Sequence, residues 1–296
     1  MSATSTLSSV IFGFATLPAW AAMCLAAFTI FFALKALTYL ATEKPASATR
    51  ARKLGYLLAW PGLDAAAFFG GIKPRHVPSG DDWLRTLAMT SAGVAALAAT
   101  IELAATGRAA VAPLAVGWLG MIGAILTLHF GTFRLAALAW QMRGVAAEPI
   151  MDRPLAAATL AEFWDRRWNK AFRDVAHRYV FEPLVRRVGP RWALVAGFAA
   201  SGLVHDAVIS LPARAGFGRP TAYFLLQAGA ILFTRSRLGL RSGVRRGPGA
   251  RLFAAVVLVG PLGLLFHSPF VRTVVVPMFE AAANATHLQR ILISQR

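Results

Sequence analysis

The sequence predicts an all-α, polytopic transmembrane bundle of about seven crossings plus one re-entrant or interfacial element, in a single domain over residues 1–296. Three observations carry that prediction. Hydrophobic residues make up 57% of the 296 and charged residues only 15%, whereas a soluble domain is about 45–50% apolar and about 25% charged. Several continuous apolar runs reach the roughly 20 residues that a helix needs to cross a bilayer. The remaining charges lie mainly between those runs. A membrane barrel would alternate apolar and polar residues in segments of about ten, and these runs do not alternate.

The elements follow in order. The stretch before Pro18 has no Lys or Arg, the first being Lys35, so it lacks the charged start of a signal peptide and is expected to be retained, lying at the membrane. Pro18–Ala41 is the first span. Thr42–Lys53 is a hydrophilic link with four basic residues and one acid, Glu43. Leu54–Ile72 is apolar but broken by Trp60-Pro61-Gly62 and Asp64, and proline and glycine break a helix. It is expected not to cross, which requires protein to cover its backbone. Leu84–Ala105, rich in small residues that let helices approach, is the second crossing. Ala109–Phe130 is the third, with a bent continuation towards Trp140. Trp192–Leu211 is the fourth, the short run Thr221–Thr234 the fifth, Leu252–His267 the sixth and Val271–Ile293 the last.

The net charge of +18, from 31 Lys and Arg against 13 Asp and Glu, would suggest nucleic acid in a soluble protein. Here the basic residues cluster in segments 42–53, 165–191 and 235–251, the positive-inside pattern of a membrane protein, meeting anionic lipid. No nucleic-acid partner is expected. A non-crossing 54–72 lets all three segments share the cytoplasmic side, with the N-terminus outside and the C-terminus inside. The single cysteine, Cys24, excludes an intrachain disulfide and a cysteine metal cluster. No HxxxH, HExxH or paired-carboxylate spacing marks a metal site, and no internal repeat marks a two-fold transporter.

The chemistry concentrates in two places. Thr159–Asp174, TLAEFWDRRWNKAFRD, reads as a short helix at the membrane boundary. Trp164 and Trp168 are four apart and share a helix face, as belt residues or substrate contacts. Arg166, Arg167, Lys170, Arg173 and Arg178 form a basic surface that fits phosphates or simply sets topology. Asn169 offers a donor and an acceptor together, for a substrate carbonyl, a catalytic base, a helix cap or an interhelical bond. The second place is His205, about 20 Å into its span. An ionisable residue at that depth is a functional candidate; a neutral histidine bonded between helices is the blander reading. Asp206 does not share its face and is expected to pair with an arginine. Ser201 does share it, as a nucleophile or as a packing residue beside Gly202 and Gly197. His129 is a further candidate without a visible partner. His76, His177, His267 and His287 read as structural.

PIMDRPLAAATLAEFWDRRWN, followed by SGLVHD, resembles the wax synthase branch of the membrane-bound O-acyltransferases, best over 150–210. Trp60-Pro61-Gly62 is similar to a motif upstream in bacterial members, and the location expected is multi-pass in a bacterial cytoplasmic membrane. The resemblance implies a helical bundle around a tunnel, with His205 catalytic and Asn169 its partner. It also implies acyl-CoA as cosubstrate, no further cofactor, and a long-chain alcohol or other lipid as acceptor. Substrate contacts are expected from Trp164, Arg166, Arg167, Trp168, Lys170, Arg173 and Ser201. The competing readings are a transporter or scramblase, and a non-catalytic scaffold.

Overall fold

The computed structural model of the chain describes residues 16–45, 48–70 and 77–294, with side chains as far as His287. The expected membrane-lying stretch 1–15 and His76 fall outside the described residues. Among those described, every regular element is helical.

Helix α1 is Ala19–Leu40. Two short helices follow, α2 (Arg50–Ala59) and α3 (Ala65–Phe69). Then come α4 (Gly80–Ala105), α5 (Pro113–Met142) and α6 (Lys170–Ala213). The last group is α7 (Arg219–Thr234), α8 (Gly247–Leu265) and α9 (Val276–Ser294). Five of them, α1, α4, α5, α6 and α8, are long and apolar enough to cross a membrane, so this is an integral membrane protein. The two weaker expected crossings are also helical. α7 has 16 residues and is about 24 Å long; α9 continues a π-helical turn at Val271–Val275. The expected bent extension of the third crossing is present, since α5 passes through a π-helical segment at Leu126–Thr132 before reaching Met142.

Residues 54–70 form no crossing helix. α2, with 10 residues, is about 15 Å long, half of the apolar thickness. The chain leaves it at Trp60, runs extended, and restarts at α3 with the Asp64 carboxylate accepting the Ala67 N–H at 2.9 Å. The break encloses a cation that the sequence reading had counted only as charge. Lys35, on α1, is fully buried. Its Nζ donates to the carbonyl of Trp60 at 2.7 Å and to that of Gly62, and lies 3.6 Å from the centroid of the Tyr56 ring. Two carbonyls and an aromatic face use the three N–H directions of an ammonium. The exposed carbonyls of a Pro-Gly break, which membrane backbone cannot leave unpaired, are the partners that make this lysine tenable. Tyr56, Phe68 and Phe69 pack in a fully buried cluster beside it, and Trp140 Nε1 ties α5 to the Ala59 carbonyl at 3.1 Å.

Packing of the long helices relies on glycine. A Cβ on Gly93 of α4 would lie 2.6 Å from the Thr127 backbone N of α5, and one on Gly202 of α6 would lie 2.6 Å from Thr221 Cα of α7. Backbones therefore meet directly at both contacts, as small residues permit in membranes. Gly197, grouped with Gly202 in the sequence reading, has open space over its Cα, so only one of the pair serves helix approach. The start of α4 carries a capping box between Ser79 and Asp82, and Asp82 Oδ1 pairs with Arg134 of α5 at 3.0 Å.

Candidate active site

The stretch 159–174 is not one helix. Thr159 Oγ1 accepts the Glu162 N–H at 3.1 Å and opens a turn at Leu160–Glu162, which widens into a π-helix over Phe163–Arg167. The helix then stops. Trp168 is extended (φ −108°, ψ 124°) and Asn169 is left-handed (φ 43°, ψ 55°), after which α6 starts at Lys170. The chain 150–152 clamps this break: Asp152 N–H donates to the Arg167 carbonyl at 2.8 Å, Lys170 N–H to the Ile150 carbonyl at 2.9 Å, and Asn169 N–H to Met151 Sδ at 3.2 Å. Asparagine is one of the few L-residues that visits the left-handed region readily. Asn169 thus has a backbone reason to be asparagine, and its side-chain amide makes no hydrogen bond among the described residues.

The break corrects the expectation that the two tryptophans share a helix face. Trp168 leaves the helix and stacks on Phe163 (5.3 Å, 17°). Trp164 turns into the bundle, edge-on to Phe198 at 5.6 Å, and its Nε1 donates to Gln227 Oε1 at 3.4 Å. The basic residues divide as well. Arg167 is used internally, bridging Glu162 at 2.6 Å and the Asp152 carbonyl at 3.3 Å. With the Ala158 N–H and this guanidinium against it, the Glu162 carboxyl is held below its usual range. Arg173 pairs with Asp174 at 2.8 Å, and Lys170 lies 3.8 Å from Glu148. Arg166 remains on the surface beside Asp165, and Arg178 is exposed.

α6 kinks at Gly189 (φ 79°) before Pro190 and then carries the second motif inward. His205 Nδ1 is 2.7 Å from the Ser201 carbonyl oxygen. A carbonyl only accepts, so Nδ1 bears the proton and donates, and Nε2 keeps its lone pair. Nε2 has no protein partner among the described residues. Ser201 Oγ donates to the Gly197 carbonyl at 3.1 Å; it is the backbone of Ser201, not its hydroxyl, that meets the histidine. The imidazole packs on Phe224 of α7 at 4.5 Å, and Phe224 in turn touches Trp164 at 5.6 Å. These contacts link the two motifs. No hydrogen bond joins Asn169 to His205.

Asp206 pairs with no arginine among the described residues, contrary to expectation. Its Oδ1 accepts from Ser210 Oγ (2.8 Å) and Gly218 N–H (2.9 Å), and its Oδ2 from Thr221 Oγ1 (2.5 Å) and Thr221 N–H (3.1 Å). The carboxylate caps the N-terminus of α7, whose own N-cap, Gly218, has no side chain to do so. That is where a negative charge is stabilised by the helix dipole. His267, taken as structural, is fully buried: Nδ1 accepts the Phe270 N–H at 3.2 Å and Nε2 is 3.4 Å from Ser210 Oγ. His177 faces Glu182 at 3.3 Å, and His287 is exposed.

Sequence reasoning missed three features. Gln227, fully buried in an apolar run, holds Trp164 and donates through Nε2 to the Val257 carbonyl at 2.9 Å; a lone amide inside a membrane run was the available signal. Lys35 was the second. The third is an open cavity of about 250 Å³ beside Thr38, Leu63, Asp64, Asp174 and Tyr179, formed by segments more than a hundred residues apart and so invisible to any local pattern. No group of three or more His, Cys, Asp or Glu among the described residues is placed to hold a metal.

Residues 147–226 match the membrane bound O-acyl transferase family. Over 104 residues, 31% of this chain and 28% of the relative, the sequence is 33% identical to a long-chain-alcohol O-fatty-acyltransferase of Simmondsia chinensis. Over 156 residues, 48% of this chain and 45% of the relative, it is 29% identical to a probable long-chain-alcohol O-fatty-acyltransferase 9 of Arabidopsis thaliana. It is also 30% identical, over 80 residues covering 25% of this chain and 23% of the relative, to acyl-CoA--sterol O-acyltransferase 1 of Arabidopsis thaliana. The matches span less than half the length of these curated relatives. The family segment contains both motifs described above, and the similarity is to the wax synthase-like branch.

Proposed function

We propose that this protein is a membrane-bound O-acyltransferase that moves a fatty acyl group from acyl-CoA to the hydroxyl of a long-chain alcohol or related lipid. The observation that carries the reading is His205: a mid-membrane imidazole whose Nδ1–H is held by the Ser201 carbonyl, leaving Nε2 as a base within the bundle. A neutral base with one fixed tautomer suits proton removal from an alcohol. The similarity to enzymes named for alcohol and sterol acylation supports the same chemistry.

In this reading His205 Nε2 takes the acceptor's hydroxyl proton as its oxygen attacks the thioester carbon. The tetrahedral adduct collapses, the C–S bond breaks, and the proton passes from His205 to the departing thiolate of CoA. The free amide of Asn169 holds the acyl carbonyl. Trp164 and Phe224 wall the approach, Trp168 lies at the boundary, and Arg166, Arg178, Lys170 and Arg173 face the CoA phosphates from the basic side. Arg167 serves by holding the π-helical turn through Glu162, and Ser201 by orienting the base through its carbonyl.

The test uses purified protein in lipid, labelled acyl-CoA and a long-chain alcohol. His205→Ala is expected to remove ester formation by at least a thousandfold and Asn169→Ala by about a hundredfold, the scale for a lost base and a lost carbonyl donor. Undiminished turnover in both variants refutes the assignment. Movement of lipid across the bilayer without acyl-CoA consumption would instead support a scramblase.

A further inference from the structure

His129 is an ionisable side chain inside a spanning helix that the site above leaves unused. It lies in the π-helical segment of α5, about 24 Å along the helix from Pro113 and so, like His205, near mid-membrane. π-Helical segments re-aim side chains and recur at functional sites. Neither ring nitrogen of His129 has a hydrogen-bond partner among the described residues, and Nδ1 is completely walled in. Buried polar groups are nearly always paired, so a histidine left this way needs an explanation.

The direction of the ring supplies one. Thr127 and Gly131, two residues to either side, face α4, where they meet Gly93 and Thr90. His129 is therefore turned away from α4. Its ring is edge-on to Phe133 at 5.2 Å, and Phe133 packs into the cluster of Leu63, Ile150 and Ala171, joined by Phe31 and Phe172. Ile150 and Ala171 flank the clamp that holds Asn169: the Ile150 carbonyl binds Lys170 N–H and Met151 Sδ binds Asn169 N–H. Through Phe133 the histidine abuts the wall that carries Asn169. Its tautomer follows from burial. An unmet lone pair costs less than an unmet N–H, so the enclosed Nδ1 is the bare nitrogen and the proton is on Nε2, the less enclosed atom. This is the opposite arrangement to His205, where Nδ1 is protonated and Nε2 is bare.

We propose that His129 is a second hydrogen-bond donor of the acyl-transfer site, its Nε2–H directed at the thioester carbonyl oxygen beside Asn169. The inference rests on the acyltransferase reading above. The proton of His129 is not transferred: it stabilises the charge that develops on the carbonyl oxygen while His205 handles the proton of the alcohol.

Two acyl-CoA analogues separate the possibilities, measured by equilibrium binding to the full chain in lipid nanodiscs. One is a ketone in which methylene replaces the thioester sulfur; the other is a thioether that lacks the carbonyl. His129→Phe is expected to weaken the ketone about tenfold and leave the thioether within twofold, with His129→Gln, which keeps a donor at similar reach, restoring most of the loss. In turnover, His129→Phe is expected to lower kcat about a hundredfold with KM for acyl-CoA within threefold. Equal weakening of both analogues, or of neither, overturns the assignment of His129 while leaving the acyltransferase reading intact. Failure of the native protein to bind either analogue overturns both.

Discussion

The Asp206 carboxylate provides a measurement that separates structure from chemistry at the centre of the family motif. Asp206 follows His205 directly, and a catalytic reading would make it the histidine's partner. The structure gives all four of its hydrogen bonds to other groups, two on each oxygen. In Asp206→Asn, one oxygen becomes an NH₂. The hydroxyls of Ser210 and Thr221 can rotate to accept from it, but the backbone N–H cannot. If the NH₂ replaces Oδ1 it faces Gly218 N–H, and if it replaces Oδ2 it faces Thr221 N–H. Either orientation leaves one N–H of the α7 N-terminus without an acceptor and removes the charge that the helix dipole favours. The lost charged hydrogen bond and the stranded donor together give about 2–4 kcal/mol of destabilisation, discounted for the partial exposure of the site. The unfolding temperature in detergent, followed by tryptophan fluorescence, should fall by about 3–6 °C. Ester formation per folded molecule should stay within threefold of native at a temperature where both are folded. An unchanged unfolding temperature with turnover lost would refute the reasoning and make Asp206 part of the proton path.

Lys35→Met is expected to strand the carbonyls of Trp60 and Gly62 and destabilise the protein by about 2–4 kcal/mol, with protease cleavage appearing within 58–64; an uncut segment would count against the cage. Glu162 is stabilised in its ionised form by the Ala158 N–H and Arg167, so its folded pKa lies below the unfolded value of roughly 4.3. A depressed carboxyl adds stability that is complete above the unfolded pKa and disappears as pH falls through the folded one. The unfolding temperature of the native protein should therefore drop faster below pH 4.3 than that of Glu162→Gln, and parallel curves would remove the ion pair as the cause.

What the sequence discloses depends on how local the cause is. Each long helix was legible because an apolar run and its boundary are written within about twenty consecutive residues. The failure of 54–70 to cross was legible in Trp60-Pro61-Gly62 for the same reason. The two motif stretches were legible as chemistry because Asp-Arg-Arg-Trp-Asn and an isolated histidine stand out against apolar surroundings. Their internal geometry was not. The break at Trp168–Asn169 is held by main-chain bonds from 150–152, which no spacing within 159–174 encodes, and that break is what separates Trp164 from Trp168. The partners of Asp206 lie 4 to 15 residues on, across a turn, and are hydroxyls and amides whose types gave no hint of an acid in need. Lys35 was obscured by its own charge, since a lysine in a basic chain reads as topology until the carbonyls around it are seen.

The Lys35 cage also makes the first helix depend on the segment that follows it. α1 carries an ammonium whose burial is costly until it is paired. Its partners are main-chain oxygens 25 and 27 residues downstream. They become available only when the Pro-Gly break folds back against α1. The burial of Lys35 on α1 therefore depends on the segment 60–62 lying against it.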